Sequence, residues 1–423
     1  MGLQRNIYGE LIADLRRRDV GIIIGPRQVG KTTLLKELAR HCHKNRLKYR
    51  YFDLEMPSDA NYFAREFQPI LADLCKGKQI ILIDEFHYLP NATKLFKAIH
   101  DGFKGIKVYA SGSSAIEMHR HLKESLAGRR RLYRLFPLSF SEWLPSKSST
   151  VKLPENICPK INSSLHRKLR IYLEEFVVFG GMPGLVHERG RESKKRLLID
   201  LVATYIQKDI KALLREEDIL SFNRLLVLLA GQEGSLLSEN SASRTLNYSL
   251  RQIRKDIAIL NQMFLLYVLE PFFTNRGREL KQTNKIYYFD SGIRNAILRD
   301  FRELNYRPDK GVLLESLVLN EMLKNLRVSQ EIYYWRTREK DEVDFILVQD
   351  RVPIAVEVKS GISNAEVPDG IKQFFKRYPE CRTAVVMNDH LAEEINYQNR
   401  RVILSPHYCA RIIPSLFARK DFL

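Results

Sequence analysis

An α/β protein built on a doubly wound parallel sheet, followed by a mainly helical middle and a second α/β unit, is the architecture this sequence predicts. Three observations carry it. A glycine-bounded loop, Gly25 to Thr33, lies between an apolar run (Val20–Ile24) and a helix-forming stretch (Leu34–Leu38). A second apolar run, Gln79–Ile83, ends in two carboxylates, Asp84 and Glu85. Strand-like and helix-like segments then alternate at the spacing of parallel strands joined by crossover helices.

The first element sets the chemistry. Gly25-Pro26-Arg27-Gln28-Val29-Gly30-Lys31-Thr32-Thr33 fits the spacing G-x-x-x-x-G-K-[ST], in its required place between a strand and a helix. Glycines let backbone N–H groups turn inward around a phosphate, and the helix N-terminus adds partial positive charge. Lys31 is expected to reach the β- and γ-phosphates, and the Thr32 hydroxyl to ligate Mg²⁺. ATP with Mg²⁺ is therefore the expected cofactor pair, with ADP as product.

The next elements complete that expectation. A helix over 32–44 leads to an alternating strand, Tyr49–Glu55, and a helical stretch to about Lys76. The run Gln79–Glu85 reads as a central parallel strand. Asp84 at its tip suits Mg²⁺ ligation, and Glu85 suits polarising the attacking water. Lys107–Ser114 is the following strand, where Ser111, in preference to Ser113, could sense the γ-phosphate. In the basic stretch His119–Arg134, Arg129 is a candidate to stabilise transition-state charge on a neighbouring subunit's nucleotide, which implies a homo-oligomer. Phe136–Trp143 reads as a strand entering a short capped helix.

Size and charge bound the rest. A chain of 423 residues holds two to four domains. The 69 Lys+Arg against 50 Asp+Glu give a net charge of +19, which points to a polyanionic partner, nucleic acid first and an anionic membrane surface second. The five cysteines form no CxxC pair, and their odd number fits a reducing cytoplasm better than a disulfide framework. His41-Cys42-His43 offers adjacent residues that cannot easily converge on one ion. Apolar runs such as Leu225–Ala230 are too short to span a bilayer.

With these residues in place, the order GPRQVGKT, IDEFHYLPN, ASGSSA, LAGRRRLYRLFPLSFSEW and FGGMPG resembles the AAA-superfamily ATPases of archaeal and bacterial type that carry a C-terminal domain of uncharacterised function. The resemblance spans essentially the whole chain. It implies ATP binding by Gly25–Thr33 and hydrolysis supported by Asp84 and Glu85. It also places FGGMPG in a lid after the ATPase core, and matches Tyr205 and Asp209 to a Tyr-Ile-x-x-Asp-Ile signature.

The middle of the chain is read from pattern. Leu144–Ser164, with Pro145, Pro154 and Pro159, is a linker or exposed insertion. Leu165–Val178 and Leu197–Leu214 are helical. Asn223–Leu229 opens a helical set, and Asn247–Gln262 places Leu250, Ile253, Ile257 and Leu260 on one face, with Arg251, Arg254 and Lys255 opposite. Two strands, Phe264–Leu269 and Lys285–Phe289, joined by a basic tip with Arg276 and Arg278, complete the pattern of a winged helix-turn-helix. Arg251, Arg254, Lys255, Arg276 and Arg278 are the candidate DNA contacts.

The last hundred residues alternate again: a helix Gly311–Leu326 carrying Glu315, strands Glu331–Trp335, Glu342–Leu347 and Ile354–Lys359, a helix around Ile371–Arg377 and a strand Ala384–Met387. An acid, then Asp344 and Glu357-Val358-Lys359 on adjacent strands, resembles the restriction-endonuclease-like nuclease core. That resemblance implies Mg²⁺ on Asp344 and Glu357, with Lys359 orienting water beside a phosphate. Val343 stands where proline is usual.

The domain boundaries expected are 1–145 for the ATPase core, 146–215 for linker and lid, 216–300 for the winged helix and 301–423 for the nuclease-like domain. The function expected is Mg²⁺-dependent ATP hydrolysis that rearranges a basic, DNA-interacting C-terminal half. The rivals are an ATP-gated switch that binds protein instead, and an ATP-regulated metal-dependent nuclease.

Overall fold

Two compact units make up the chain: Met1–Leu138 with Ala258–Leu265, and Ser139–Ile257 with Leu266–Leu423. The computed structural model describes residues 3–112, 126–204, 216–273 and 283–418. Ser113, Tyr205, Asp209, Arg276 and Arg278 lie outside the described residues, as does the tip 274–281.

The first unit is a five-stranded parallel sheet. Its strands are β1 (Val20–Ile24), β2 (Tyr49–Asp53), β3 (Gln79–Asp84), β4 (Ile106–Gly112) and β5 (Arg130–Arg134), in the order β2-β3-β4-β1-β5. All four pairings are parallel. The strands β1, β3 and β4 are buried along their whole length, as the apolar runs of β1 and β3 predict for strands covered on both faces; on β4 the buried run also takes in Lys107 and Ser111. Crossover helices Lys31–Lys44 and Ala92–Gly102 turn Leu34, Leu35, Leu38, Leu95, Phe96 and Ile99 inward. A short helix, Tyr8–Ala13, precedes β1; its Leu11 carbonyl accepts from the Tyr109 hydroxyl at 2.7 Å. The strand anticipated at Phe136 lies instead at Arg130–Arg134, where the chain finds its parallel partner β1.

The second unit opens with helix Phe140–Trp143, held by a full capping box between Ser139 and Glu142. Helix Ser163–Phe179 ends at Gly180, whose φ is +75° and whose added Cβ would lie 2.1 Å from Asp290 Oδ1. Asp290 accepts from Gly181 N at 2.7 Å and caps the next helix, Ser291–Leu298, through Ile293 N at 3.0 Å. The glycine pair thus brings two helix ends together around one carboxylate.

Helices Glu216–Gly231, Glu239–Leu246 and Leu250–Gln262 precede an antiparallel pair, β6 (Leu266–Leu269) and β7 (Lys285–Tyr288). In the third of these helices Ile253, Ile257 and Leu260 are buried, but Leu250 is exposed, because it is the first helical residue.

The C-terminal segment runs helix Lys310–Leu323, β8 (Gln330–Arg336), β9 (Glu342–Gln349), β10 (Val352–Val358), helix Asp369–Arg377 and β11 (Thr383–Asn388). Two further strands, β12 (Glu393–Tyr397) and β13 (Arg400–Pro406), extend it to a mixed sheet of order β12-β13-β11-β10-β9-β8. No described helix is long and apolar enough to cross a membrane. All five cysteines are free.

One buried group in this unit gives the fold a pH dependence. His407 is 3% exposed, and burial depresses its pKa to about 3. A histidine with a depressed folded pKa contributes stability that is present above its unfolded value, near 6.5, and lost as pH falls towards 3. The loss expected at about pH 5 is ~2 kcal/mol relative to neutral pH. Denaturant unfolding at both pH values checks this; an unchanged pH difference in His407→Gln would refute the assignment to this residue.

Candidate functional site

The phosphate loop sits at the C-terminal end of β1, where a parallel sheet places its ligands. Gly25 is buried, and a Cβ there would stand 2.1 Å from the Leu135 carbonyl oxygen, so only glycine lets β1 turn beside the end of β5. Gly30 immediately precedes helix Lys31–Lys44. The Lys31 ammonium is buried and donates to the carbonyls of Gly25 at 3.0 Å and Pro26 at 2.8 Å, so it arches back over the loop. Thr32 follows it in the first helical turn, partly exposed.

Arg5, which sequence reading missed, supports this loop from beneath. Its guanidinium donates to Val29 O at 2.7 Å and to Phe136 O at 2.5 Å, and the residue is 7% exposed. No local pattern could have found it, since its partners are 24 and 131 positions away. Buried bonds from a charged donor are worth ~1.5–3 kcal/mol each. Arg5→Ala is expected to loosen the loop and weaken ATP binding about tenfold, read by titration with a fluorescent ATP analogue. Unchanged affinity would show that the loop holds its shape without the arginine.

Asp84 ends β3 and is 1% exposed. Three donors fix it: the Ser111 hydroxyl on Oδ1, Tyr51 OH on Oδ2 at 3.1 Å, and Glu85 N on Oδ1 at 3.2 Å. Ser111, fully buried on β4, donates its hydroxyl to Asp84 and so stands beside the carboxylate at the tip of β3. Glu85 adopts a left-handed backbone (φ +52°), a costly conformation for a residue with a side chain. Its Oε2 lies 3.2 Å from His87 Nδ1. Burial pushes the Glu85 pKa up, but His87, Lys31 and Arg27 together outweigh it and hold the group below the usual glutamate value. Glu85 is thus a carboxylate at neutral pH.

Arg129 is not brought to this chain's own phosphate loop. It precedes β5, bonded through its carbonyl to Val20 N at the start of β1, a strand length of ~17 Å from Gly25. Its guanidinium pairs with Asp101 at 2.7 Å, and that hydrogen bond lowers the Asp101 pKa to about 2.

In the second unit, Arg251, Arg254 and Lys255 are all exposed on one helix, with Arg254 Nε on Glu239 Oε2 at 2.7 Å. A separate cleft of about 710 Å³ is lined by Lys195, Arg196, Arg299 and Arg302, together with Glu192 and Asp300.

Of the four residues expected in the C-terminal segment, Asp344 lies on β9, Glu357 on β10, Lys359 just past the end of β10 and Glu315 on helix Lys310–Leu323. Asp344 on β9 accepts from Val358 N at 2.8 Å, and Lys359 Nζ donates to Glu357 Oε1 at 2.7 Å. Glu357 is 7% exposed, and its Oε2 has no hydrogen-bond partner among the described residues. Burial, then the Asp344 charge, raises the Glu357 pKa to about 7; the same two causes raise that of Glu315 to about 8. Among the described residues no three His, Cys, Asp or Glu side chains stand close enough to hold a metal ion by themselves.

Comparison with known proteins agrees with the first unit and leaves the second open. Residues 17–144 match the model of an AAA domain; 170–304 and 310–408 match two domains of unknown function, DUF8612 and DUF4143. The Mycobacterium tuberculosis "Uncharacterized protein Rv2008c" is 26% identical over 359 residues, covering 84% of this chain and 74% of that protein. The Methanocaldococcus jannaschii "Uncharacterized protein MJ1544" is 24% identical, covering 78% and 72%. Among solved structures, the Aeropyrum pernix ORC2 protein with ADPNP and ADP overlaps at TM-score 0.38 and 14% identity, covering 63% of this chain and 88% of that one. The Aeropyrum pernix ORC1 protein in complex with DNA overlaps at TM-score 0.30 and 14% identity, covering 70% and 93%. The matched domain and the parallel five-stranded sheet make the first unit an AAA-type ATPase fold.

Proposed function

We propose that the chain is a Mg²⁺-dependent ATPase whose hydrolysis cycle governs a basic, DNA-interacting second unit. The observation that carries the ATPase reading is the buried Lys31 folded over the Gly25–Gly30 loop, with the fixed Asp84 and the ionised Glu85 at the tip of β3. The residues fit the group: the Gly25 turn leaves no room for a side chain, and the acids match a metal-bound triphosphate. Bound Mg·ATP supplies a polarised γ-phosphoryl group. Lys31 neutralises charge that builds on the phosphate oxygens, and Thr32 with Asp84 would hold the metal. Ser111 and Tyr51 orient Asp84. Glu85 takes a proton from the attacking water, with His87 steering its carboxylate.

The DNA reading rests on the +19 charge, the exposed Arg251, Arg254 and Lys255, and the cleft with Arg196 and Arg299. Three helices followed by the β6–β7 pair support a winged-helix reading of this segment. Phosphate release measured with and without duplex and single-stranded DNA, in native chain and Lys31→Ala, tests both halves. Stimulation of the native chain alone supports the proposal. Turnover indifferent to every DNA favours a protein-binding switch.

A second activity is favoured by one further observation, the unpartnered Glu357 Oε2 beside Lys359 and Asp344. The helix-strand-strand-strand-helix-strand order of this segment supports a restriction-endonuclease-like reading. Two carboxylates with phosphate oxygens and water suit Mg²⁺, which keeps several waters when bound. Metal-dependent nicking that survives Glu85→Gln and vanishes in Asp344→Ala would establish it.

A further inference from the structure

The carboxylate cluster of the C-terminal sheet is not completed by its own segment. Glu315, Asp344, Glu357 and Lys359 lie within 310–408, but β7, which precedes that segment, brings two more groups to them. Tyr287 is fully buried, and its hydroxyl donates to Glu315 Oε2 at 3.1 Å. Its ring lies against that of Phe345 on β9, with centroids 5.7 Å apart. Lys285, two residues earlier and so on the same face of β7, is 3% exposed. It pairs with Glu342, which shares a face of β9 with Asp344. Arg336 takes the other oxygen of Glu342 at 3.0 Å.

The charges around this site can be set against one another. Glu315, Glu342, Asp344 and Glu357 face Lys285, Arg336 and Lys359. One negative charge remains when all are ionised, and one Glu357 oxygen has no hydrogen-bond donor among the described residues. A divalent cation entering between Asp344 and Glu357 would meet a buried ammonium already acting on Asp344 and on its neighbours Glu315 and Glu342. At the short separations of such a cluster, one fixed charge is a large effect.

We propose that Lys285 and Tyr287 are positioning residues of this site: Lys285 is a built-in counter-charge that opposes a divalent cation, and Tyr287 donates the hydrogen bond that favours the ionised form of Glu315, the form that attracts the cation. The proposal rests on the reading of Asp344 and Glu357 as a cation pair. It extends the site beyond 310–408 and makes the β6–β7 hairpin part of it.

The test is Mn²⁺ titration of the nucleotide-free full chain, with free Mn²⁺ read by electron paramagnetic resonance and folding followed by melting temperature. Binding that depends on Asp344 is obtained by difference from Asp344→Asn. Lys285→Met is expected to tighten that binding about tenfold, and Tyr287→Phe to weaken it at least about threefold. Opposite signs are the signature, because general loosening of the fold would weaken both. Asp344-dependent binding that stays within a factor of about two in both variants would overturn the role of β7 and leave the cation pair standing. Binding unaffected by Asp344→Asn would overturn the cation pair itself, and the proposal with it.

Discussion

Lys31→Ala is expected to reduce ATP hydrolysis by at least about 10²–10³-fold, the cost of removing a preorganised charge from the transferring group. The side chain is well placed for that role. It is already desolvated and held by two loop carbonyls, so little reorganisation accompanies ligand entry. Its loss also withdraws one of the positive charges that keep Glu85 ionised. Glu85→Gln is expected to behave differently: turnover falls about 10²-fold while nucleotide is retained, because the amide keeps shape and loses basicity. Phosphate release and equilibrium binding, measured on both variants, separate the two roles. Residual hydrolysis within about tenfold of native in Lys31→Ala would mean the loop does not cradle the reacting phosphates.

The contrast bears on what couples the units. A variant that binds ATP without hydrolysing it stays in one nucleotide state. If DNA affinity then differs between Glu85→Gln with ATP and Lys31→Ala, nucleotide occupancy itself biases the second unit. Equal affinity in both would assign any DNA effect to the hydrolysis step.

Much of the first unit was legible because its signals are local. The phosphate loop is one contiguous stretch between a strand and a helix, and Asp84 ends an unbroken apolar run. The C-terminal acids were singled out by their resemblance to a nuclease core, and period-two alternation added only that Glu357 and Lys359 share one face. What escaped was everything set by distant partners. Ser111 reaches Asp84 across 27 positions and Arg5 reaches Phe136 across 131; neither bond leaves a periodic trace. Edge strand β12 escaped for another reason: Glu393 and Glu394 are exposed at its start, so hydrophobic alternation is absent. Tyr287 and Lys285 looked like ordinary strand residues of the hairpin, since only Glu315 on its helix and Glu342 on β9 show what they face.

The same blindness to distant partners hid the largest stability effect expected outside the sites. Arg294→Ala should cost ~3–5 kcal/mol, the penalty for stranding a buried charge. Arg294 is 3% exposed and lies 3.2 Å from Glu233 Oε2, with further bonds to Ala230 O at 3.1 Å and to Asp309. Glu233 is 2% exposed; its Oε1 accepts from Tyr288 N at 2.7 Å and Ser316 Oγ at 2.9 Å. Its Oε2 has no hydrogen-bond donor among the described residues, so Arg294 is its chief compensation. Burial raises the Glu233 pKa and Arg294 opposes that rise. Without the guanidinium the carboxyl must either stay charged in a dry interior or take up a proton, and both destabilise the native state. Because whole domains are stable by only ~5–15 kcal/mol, denaturant unfolding should resolve the loss easily. Pairing the change with Glu233→Gln should recover part of it, since the neutral amide no longer needs a cation. A cost below about 1 kcal/mol for Arg294→Ala would place the pair in the class of solvated surface bridges, and the buried network would have to be stabilised by its hydrogen bonds alone.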